Sequence, residues 1–443
     1  RPAPDNPWYN PVAPHPYSVF NDFNHESDYT HKFVDDVLKY WVTQYHIDGF
    51  RFDLSKGFTQ TPSTESTAGN YDQSRINNIE RIADQIWSVD PSAYLILEHF
   101  CADNEEQALS AYGLMLWNKV EDGYYQSAMG YPSGADISRI SYLAHGFTEA
   151  HAVGYMESHD EERVMYKTIT YGNSNATYNV KPLDSALNRM KAVACLFFPV
   201  PGPKMIWQFQ ELGYDYSILF GGGNTSPKPI KWDYFQYGPR KWVYNFFAAL
   251  INLKKEYSVF QSGTMNLTVG DLHKSIRLTD PSMKACILGN FDIVNYNVIP
   301  YFQNTGKWYE YFTGDSINVT DVNAPLNMAP GEYRLYTSVK LAQPDLGNVG
   351  INDPEQSGEL ALQSFPNPAG DLCTLDFYVP KNGTAQLDLF DISGRKISEI
   401  ADKKFSTGWY TVDVPVNNLT NGVYFVKLSS AGMVKTLKVE VQH

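Results

Sequence analysis

The segment Ile47-Asp48-Gly49-Phe50-Arg51-Phe52-Asp53-Leu54 closes an apolar run with an arginine two residues ahead of a carboxylate. Side chains alternate faces along a strand, so Arg51 and Asp53 share a face. A guanidinium beside a carboxylate favours the ionised form and fixes its direction, two properties that a nucleophile needs. A structural ion pair at a strand end would use the same two residues. Two further apolar runs end in acids: Ala93 to Leu97 leads into Glu98-His99, and Val153 to Ser158 leads into His159-Asp160. Strand ends that each deliver an acid to one rim suit a parallel barrel, whose catalytic groups come from the carboxyl ends of several strands.

The elements that must position these acids alternate along the chain. Thr30 to Gln44 carries Phe33, Val34, Val37, Leu38, Trp41 and Val42, a one-sided helical stripe that leads into the first acid-bearing strand. Arg75 to Ser88 repeats the pattern with Ile76, Ile79, Ala83 and Ile86, and Asp90-Pro91 ends it. Gly113 to Asn118 reads as the following strand and Ile137 to Phe147 as the helix after it. Leu183 to Phe198 is expected to be a helix, Lys204 to Phe209 a strand and Arg240 to Tyr257 a closing helix. From Asp48 to Tyr257 the pattern amounts to five strand-helix units.

Gly49-Phe50-Arg51-Phe52-Asp53, the Glu98 strand end and the His159-Asp160 pair resemble, in order, three short signature regions of the α-amylase family of retaining glycoside hydrolases. Glu211-Leu212-Gly213 and Lys228 to Trp232 resemble later parts of the same family. The resemblance implies that Asp53 is the nucleophile, Glu98 the general acid/base and Asp160 the carboxylate that stabilises the transition state. It further implies that Arg51 orients Asp53, that His159 bonds the sugar and that Lys56 contacts the sugar on the leaving-group side. The implied substrate is an α-glucan polysaccharide or oligosaccharide: starch, glycogen or maltooligosaccharides. Cleavage with retention needs one ionised and one protonated carboxyl roughly 5–5.5 Å apart. Asp53, beside Arg51, is therefore expected to stay ionised, and Glu98, on an apolar strand near other acids, to be pushed upward.

In that family the strand bearing Arg and Asp is the fourth. The expected fold is thus α/β, a (β/α)8 TIM-type barrel lacking its first three strand-helix units over residues 1–257, with the first signature region upstream of Arg1. Missing strands leave open sheet edges. A non-catalytic glucan-binding or inactive fragment is therefore an alternative to a hydrolase, and an α-glucan transglycosylase or branching enzyme is another. No cofactor is expected to be required. Calcium is common in the family, but Gly57 stands where many members have His, which weakens that expectation.

Past the barrel, residues 258–341 hold short alternating runs such as Ser275 to Leu278, Ala285 to Leu288 and Tyr333 to Tyr336, the pattern of an antiparallel β domain. Its Trp308, Tyr309, Tyr311 and Phe312 suit either a sugar-stacking platform or core packing. Residues 342–362 read as a linker rich in Gly, Asn, Asp and Pro. Residues 363–443, from Ser364-Phe365-Pro366-Asn367-Pro368 through Asp391-Ile392-Ser393-Gly394-Arg395 to Lys435–Val441, resemble the sorting domain of proteins exported by the type IX secretion system. That implies a small β-sandwich, the secretion machinery as partner, and a secreted or cell-surface protein of a Gram-negative bacterium.

A formal net charge of −14 argues against nucleic acid or an anionic membrane as partner. No apolar run reaches membrane-spanning length. Cys101, Cys195, Cys286 and Cys373 form no CxxC pair, so zinc is not expected and the thiols are expected to be free or mostly buried.

Overall fold

The computed structural model describes residues 2–18, 20–346, 359–365 and 367–443, the side chain of Phe365 excepted. The chain divides into two compact units, one of Arg1–Gln210, Ser217–Ser226 and Leu250–Gln343, the other of Glu211–Tyr216, Pro227–Ala249 and Pro344–His443. Most of the expected linker, residues 347–358, lies outside the described residues.

In the first unit, helices and strands alternate: α1 (Asp28–Tyr45), β1 (Gly49–Phe52), α2 (Gln73–Trp87), β2 (Tyr94–Leu97), α3 (Asp103–Tyr112), β3 (Met115–Lys119), α4 (Glu121–Met129), β4 (Ala152–Tyr155), α5 (Val164–Tyr171), α6 (Leu183–Phe197) and β5 (Lys204–Met205). The five strands form one parallel sheet in sequence order. All run the same way, so their carboxyl ends share one rim. The Asp72 side chain caps α2 by accepting from the N–H groups of Ser74 and Arg75. The sheet seats α2 through Ile76, Ile79, Ile82, Ala83 and Ile86, which pack with Leu95, Leu97, Leu114 and Leu116 in one buried cluster.

Three expectations shift. The stripe of α1 is only half covered: Leu38 and Val42 are buried, whereas Phe33, Val37 and Trp41 stand 49%, 37% and 45% exposed. The sheet ends at β1, and among the described residues no strand pairs with its outer edge. The helix expected over Ile137 to Phe147 is instead two short 3-10 turns, Ser138–Ile140 and Tyr142–His145. Extended Ser141 separates them and accepts from Leu143 N–H to start the second. The true helix after β3 is α4, buried on nearly every side, so it has no polar face to reveal its period. Finally, only Lys204 and Met205 of the Lys204 to Phe209 run pair as strand, and Phe209 turns into the left-handed region at φ 63°.

Beyond helix α7 (Gly238–Glu256), the first unit continues as an antiparallel part with two sheets, built from β6 (Thr264–Thr268), β7 (His273–Thr279), β8 (Lys284–Asn290), β9 (Tyr296–Val298), β10 (Gly306–Glu310), β11 (Ser316–Val319), β12 (Leu326–Met328) and β13 (Tyr333–Thr337). Six strands run in the order β11-β10-β13-β8-β7-β6, and β12 pairs with β9. Trp308 is fully buried with Cys286, Leu288, Val298 and Met328, and Tyr311 is also buried, so these two aromatics serve the core. Buried Arg189 of α6 donates to the carbonyls of Phe291 and Asp292, and buried Lys274 of β7 donates to Ala135 O at 2.7 Å. These bonds tie the antiparallel part to the parallel part.

In the second unit, β14 (Ala361–Phe365), β15 (Leu372–Val379), β16 (Gly383–Asp391), β17 (Lys396–Phe405), β18 (Gly408–Pro415), β19 (Gly422–Ser430) and β20 (Met433–Val441) form two sheets, β14-β15-β18 and β17-β16-β19-β20. Leu375, Phe377, Leu387, Leu389, Val426 and Leu428 form part of one apolar core. All four cysteines are free thiols, Cys101 half-buried and the others buried.

Candidate active site

Arg51 is the hub of the rim. One of its terminal nitrogens donates to Asp53 Oδ1 at 2.5 Å and the other to Glu98 Oε2. Its Cζ stands 4.1 Å from the centroid of Trp117. That fork brings the Glu98 and Asp53 carboxyls to one guanidinium. Glu98 is buried, and that burial is the main cause of its raised pKa. The bond to Asp53 adds to the rise, against the Arg51 charge and the Leu54 N–H. For Asp53, partial burial pushes upward, but the bonds from Glu98 and Arg51 and the charges of Arg51 and His159 outweigh it and hold the pKa below the ordinary carboxylate range. Of the two, Glu98 is the one driven toward its protonated form.

The third strand end reaches the same group. His159 acts on Asp53 through its charge, and its Nε2 lies 3.3 Å from Asp160 Oδ2. Its ring stands between two indoles, 6.0 Å from Trp117 and 5.9 Å from Trp207. Buried Arg163 holds this loop by donating to Ser158 O and Glu161 O, both at 2.7 Å, and Asp160 N–H donates to Ser158 Oγ at 3.0 Å. Arg51, Asp53, Glu98, His159 and Asp160 thus form one connected set. Lys56 is turned differently: its Nζ donates to Phe100 O at 3.0 Å and lies 4.9 Å from the Tyr17 ring.

Two features went unread in the sequence. Trp117 and Trp207 were visible only as apolar residues of strand-like runs, although their place near strand ends could have marked them as rim residues. Beside Asp53 there is also a cavity of about 160 Å³, lined by Leu54, Gly57 and Phe58 and by Tyr17, Asp22 and His25 of the amino-terminal segment.

Among the described residues, two groups hold potential metal-ligating atoms close together: His99, Cys101 and Glu105, and Asp103, Glu106 and His145. Arg75 engages both oxygens of Glu105, at 2.6 and 2.7 Å, and Arg139 engages both oxygens of Asp103 and also His145. Each donor set already faces a fixed cation, so neither fits a metal ion.

Comparison with known proteins supports the class of this fold. The α-amylase of Geobacillus thermoleovorans, solved in complex with acarbose, aligns with a TM-score of 0.55 at 14% identity, covering 72% of this chain and 66% of that one. The chain is 30% identical over 160 residues to the glycogen operon protein GlgX homolog of Haemophilus influenzae, a match covering 32% of this chain and 24% of that protein. It is 24% identical over 254 residues to the glycogen debranching enzyme of Erwinia tasmaniensis, covering 51% of this chain and 38% of that protein. These matches span well under half the length of those two relatives. Residues 363–442 match the secretion system C-terminal sorting domain family.

The parallel sheet with acids at its rim is therefore of the α-amylase type. The part of the chain ahead of the sorting domain is similar to glycogen-debranching and α-amylase proteins, and the sorting domain directs export across the outer membrane. Among the described residues no helix is long and apolar enough to cross a membrane.

Proposed function

We propose that this protein is a retaining α-glycoside hydrolase that cleaves the α-glucosidic bonds of starch, glycogen or maltooligosaccharides. One observation carries the reading: Arg51 bridges Asp53 and Glu98 while their pKa values are driven in opposite directions. Asp53 attacks the anomeric carbon as Glu98 passes its proton to the departing glycosidic oxygen, which leaves a glycosyl ester on Asp53. Glu98, now ionised, takes a proton from water, the resulting hydroxide attacks the same carbon, and the Asp53 carboxylate departs. Asp160 offsets positive charge on the ring and His159 bonds a sugar hydroxyl. Trp117 and Trp207 supply apolar faces beside them.

The second reading, a glucan-binding chain without turnover, draws support from the outer edge of β1, with which no strand among the described residues pairs and after which Asp53 follows. Release of reducing ends from soluble starch separates the two. Hydrolysis by the wild type that disappears in Asp53→Asn supports the enzyme, whereas equal inertness of both supports the binding chain.

A further inference from the structure

Behind the two carboxyls runs a buried line of side chains that the reaction above does not use. Ser55 follows Asp53 by two residues and His99 follows Glu98 directly, and both are fully buried. Ser55 N–H donates to Glu98 O at 3.0 Å, and Glu98 N–H donates to Phe52 O at 3.0 Å, so the two chain ends are laced together just beyond β1 and β2. Ser55 Oγ lies 3.0 Å from Glu98 O and 2.9 Å from His99 Nδ1. His99 Nε2 lies 2.8 Å from Glu105 Oε1, and Arg75 grips both Glu105 oxygens. Arg75 also donates to the carbonyls of Lys56, Ala68 and Asn70, at 3.0, 2.8 and 2.8 Å, so the same guanidinium anchors the loop that follows Asp53.

We propose that Ser55, His99, Glu105 and Arg75 form a positioning relay that sets the spacing and direction of the Asp53 and Glu98 carboxyls from inside the sheet. The proposal deepens the glycosidase reading and rests on it for its kinetic part. The chemistry of the line fixes its hydrogens. Glu105, an ionised acceptor held by Arg75, requires a proton on His99 Nε2. Burial keeps His99 neutral, so Nδ1 is an acceptor and takes the Ser55 hydroxyl proton. Ser55 has a single hydroxyl hydrogen, and with it committed to His99 the Glu98 carbonyl is left with the Ser55 N–H alone. The hydroxyl then works as a strut between the two strand ends. All four residues are buried, so they act through Asp53 and Glu98.

Ser55→Ala removes the strut with no added volume in a fully buried site, and Glu105→Gln removes the charge at the far end. The tests are kcat and KM on maltooligosaccharides, together with ¹³C titration of the Glu98 carboxyl, whose charged neighbours are Arg51 and Asp53. For Ser55→Ala the expected result is a fall in kcat of about tenfold with KM within about twofold, and a displaced Glu98 titration. A folded Ser55→Ala protein with unchanged kcat and unchanged Glu98 titration overturns the relay. If Glu105→Gln does not fold, Ser55→Ala alone decides. A wild type inert on glucans whose Glu98 titration still moves in Ser55→Ala sinks the glycosidase reading and leaves the relay standing. An active wild type with no change in Ser55→Ala does the reverse.

Discussion

Arg51 rests over the face of Trp117, 4.1 Å from its centroid, and from that seat it holds two carboxyls on separate strands. A planar guanidinium can stack and fork at once, and an ammonium cannot. Arg51→Lys retains the charge but replaces the two-nitrogen fork with a single nitrogen and loses the planar stacking. The expected outcome is a fall in kcat/KM on maltooligosaccharides of about 100-fold, with the fold intact by circular dichroism.

The opposed pKa shifts predict a bell-shaped pH profile. Asp53 must be ionised, so activity is lost as pH falls through its depressed pKa; Glu98 must be protonated, so activity is lost as pH rises through its raised pKa. Glu98→Gln should abolish the alkaline limb on an aryl glycoside with an activated leaving group, while turnover of glucans collapses. An alkaline limb that survives in Glu98→Gln assigns the acid elsewhere.

A different carboxyl makes stability depend on pH. Burial pushes Glu106 up to about 7, aided by the Asp103 charge and opposed by the Cys101 N–H. Its folded pKa lies above its unfolded one. The stability it contributes is fully present below the unfolded value of about 4.3 and is lost as pH rises through about 7. Glu106→Gln carries no ionisation and should therefore gain on the wild type at pH 8, by on the order of 2–3 kcal/mol, and not at pH 4. Tm measured at the two pH values checks this.

Export tests the other end of the chain. Deleting residues 363–443 removes the match to the sorting domain, and the truncated protein should stay in the periplasm instead of reaching the medium or cell surface. Cell fractionation reads the outcome directly.

The acids were legible because strand ends leave a strong local mark: Phe50 to Asp53 and Leu95 to Glu98 switch from apolar to charged within a few residues. Helix α2 was legible because one face is wet and one dry. Helix α4 was not, because Tyr124, Tyr125, Ala128 and Met129 are all buried and the period of the pattern disappears. The link between Arg51 and Trp117 was hidden for another reason. The two lie on β1 and β3, and only the assembled sheet brings them together. The same holds for Arg75 and Glu105, thirty residues apart, whose pairing rests on where α2 and α3 settle.

The two indoles flanking His159 give the rim its own optical gauge. Tryptophan emission follows the polarity around the ring, so a hexose that displaces water there would alter the protein's intrinsic fluorescence. Occupancy could then be followed by titration without a label and without turnover.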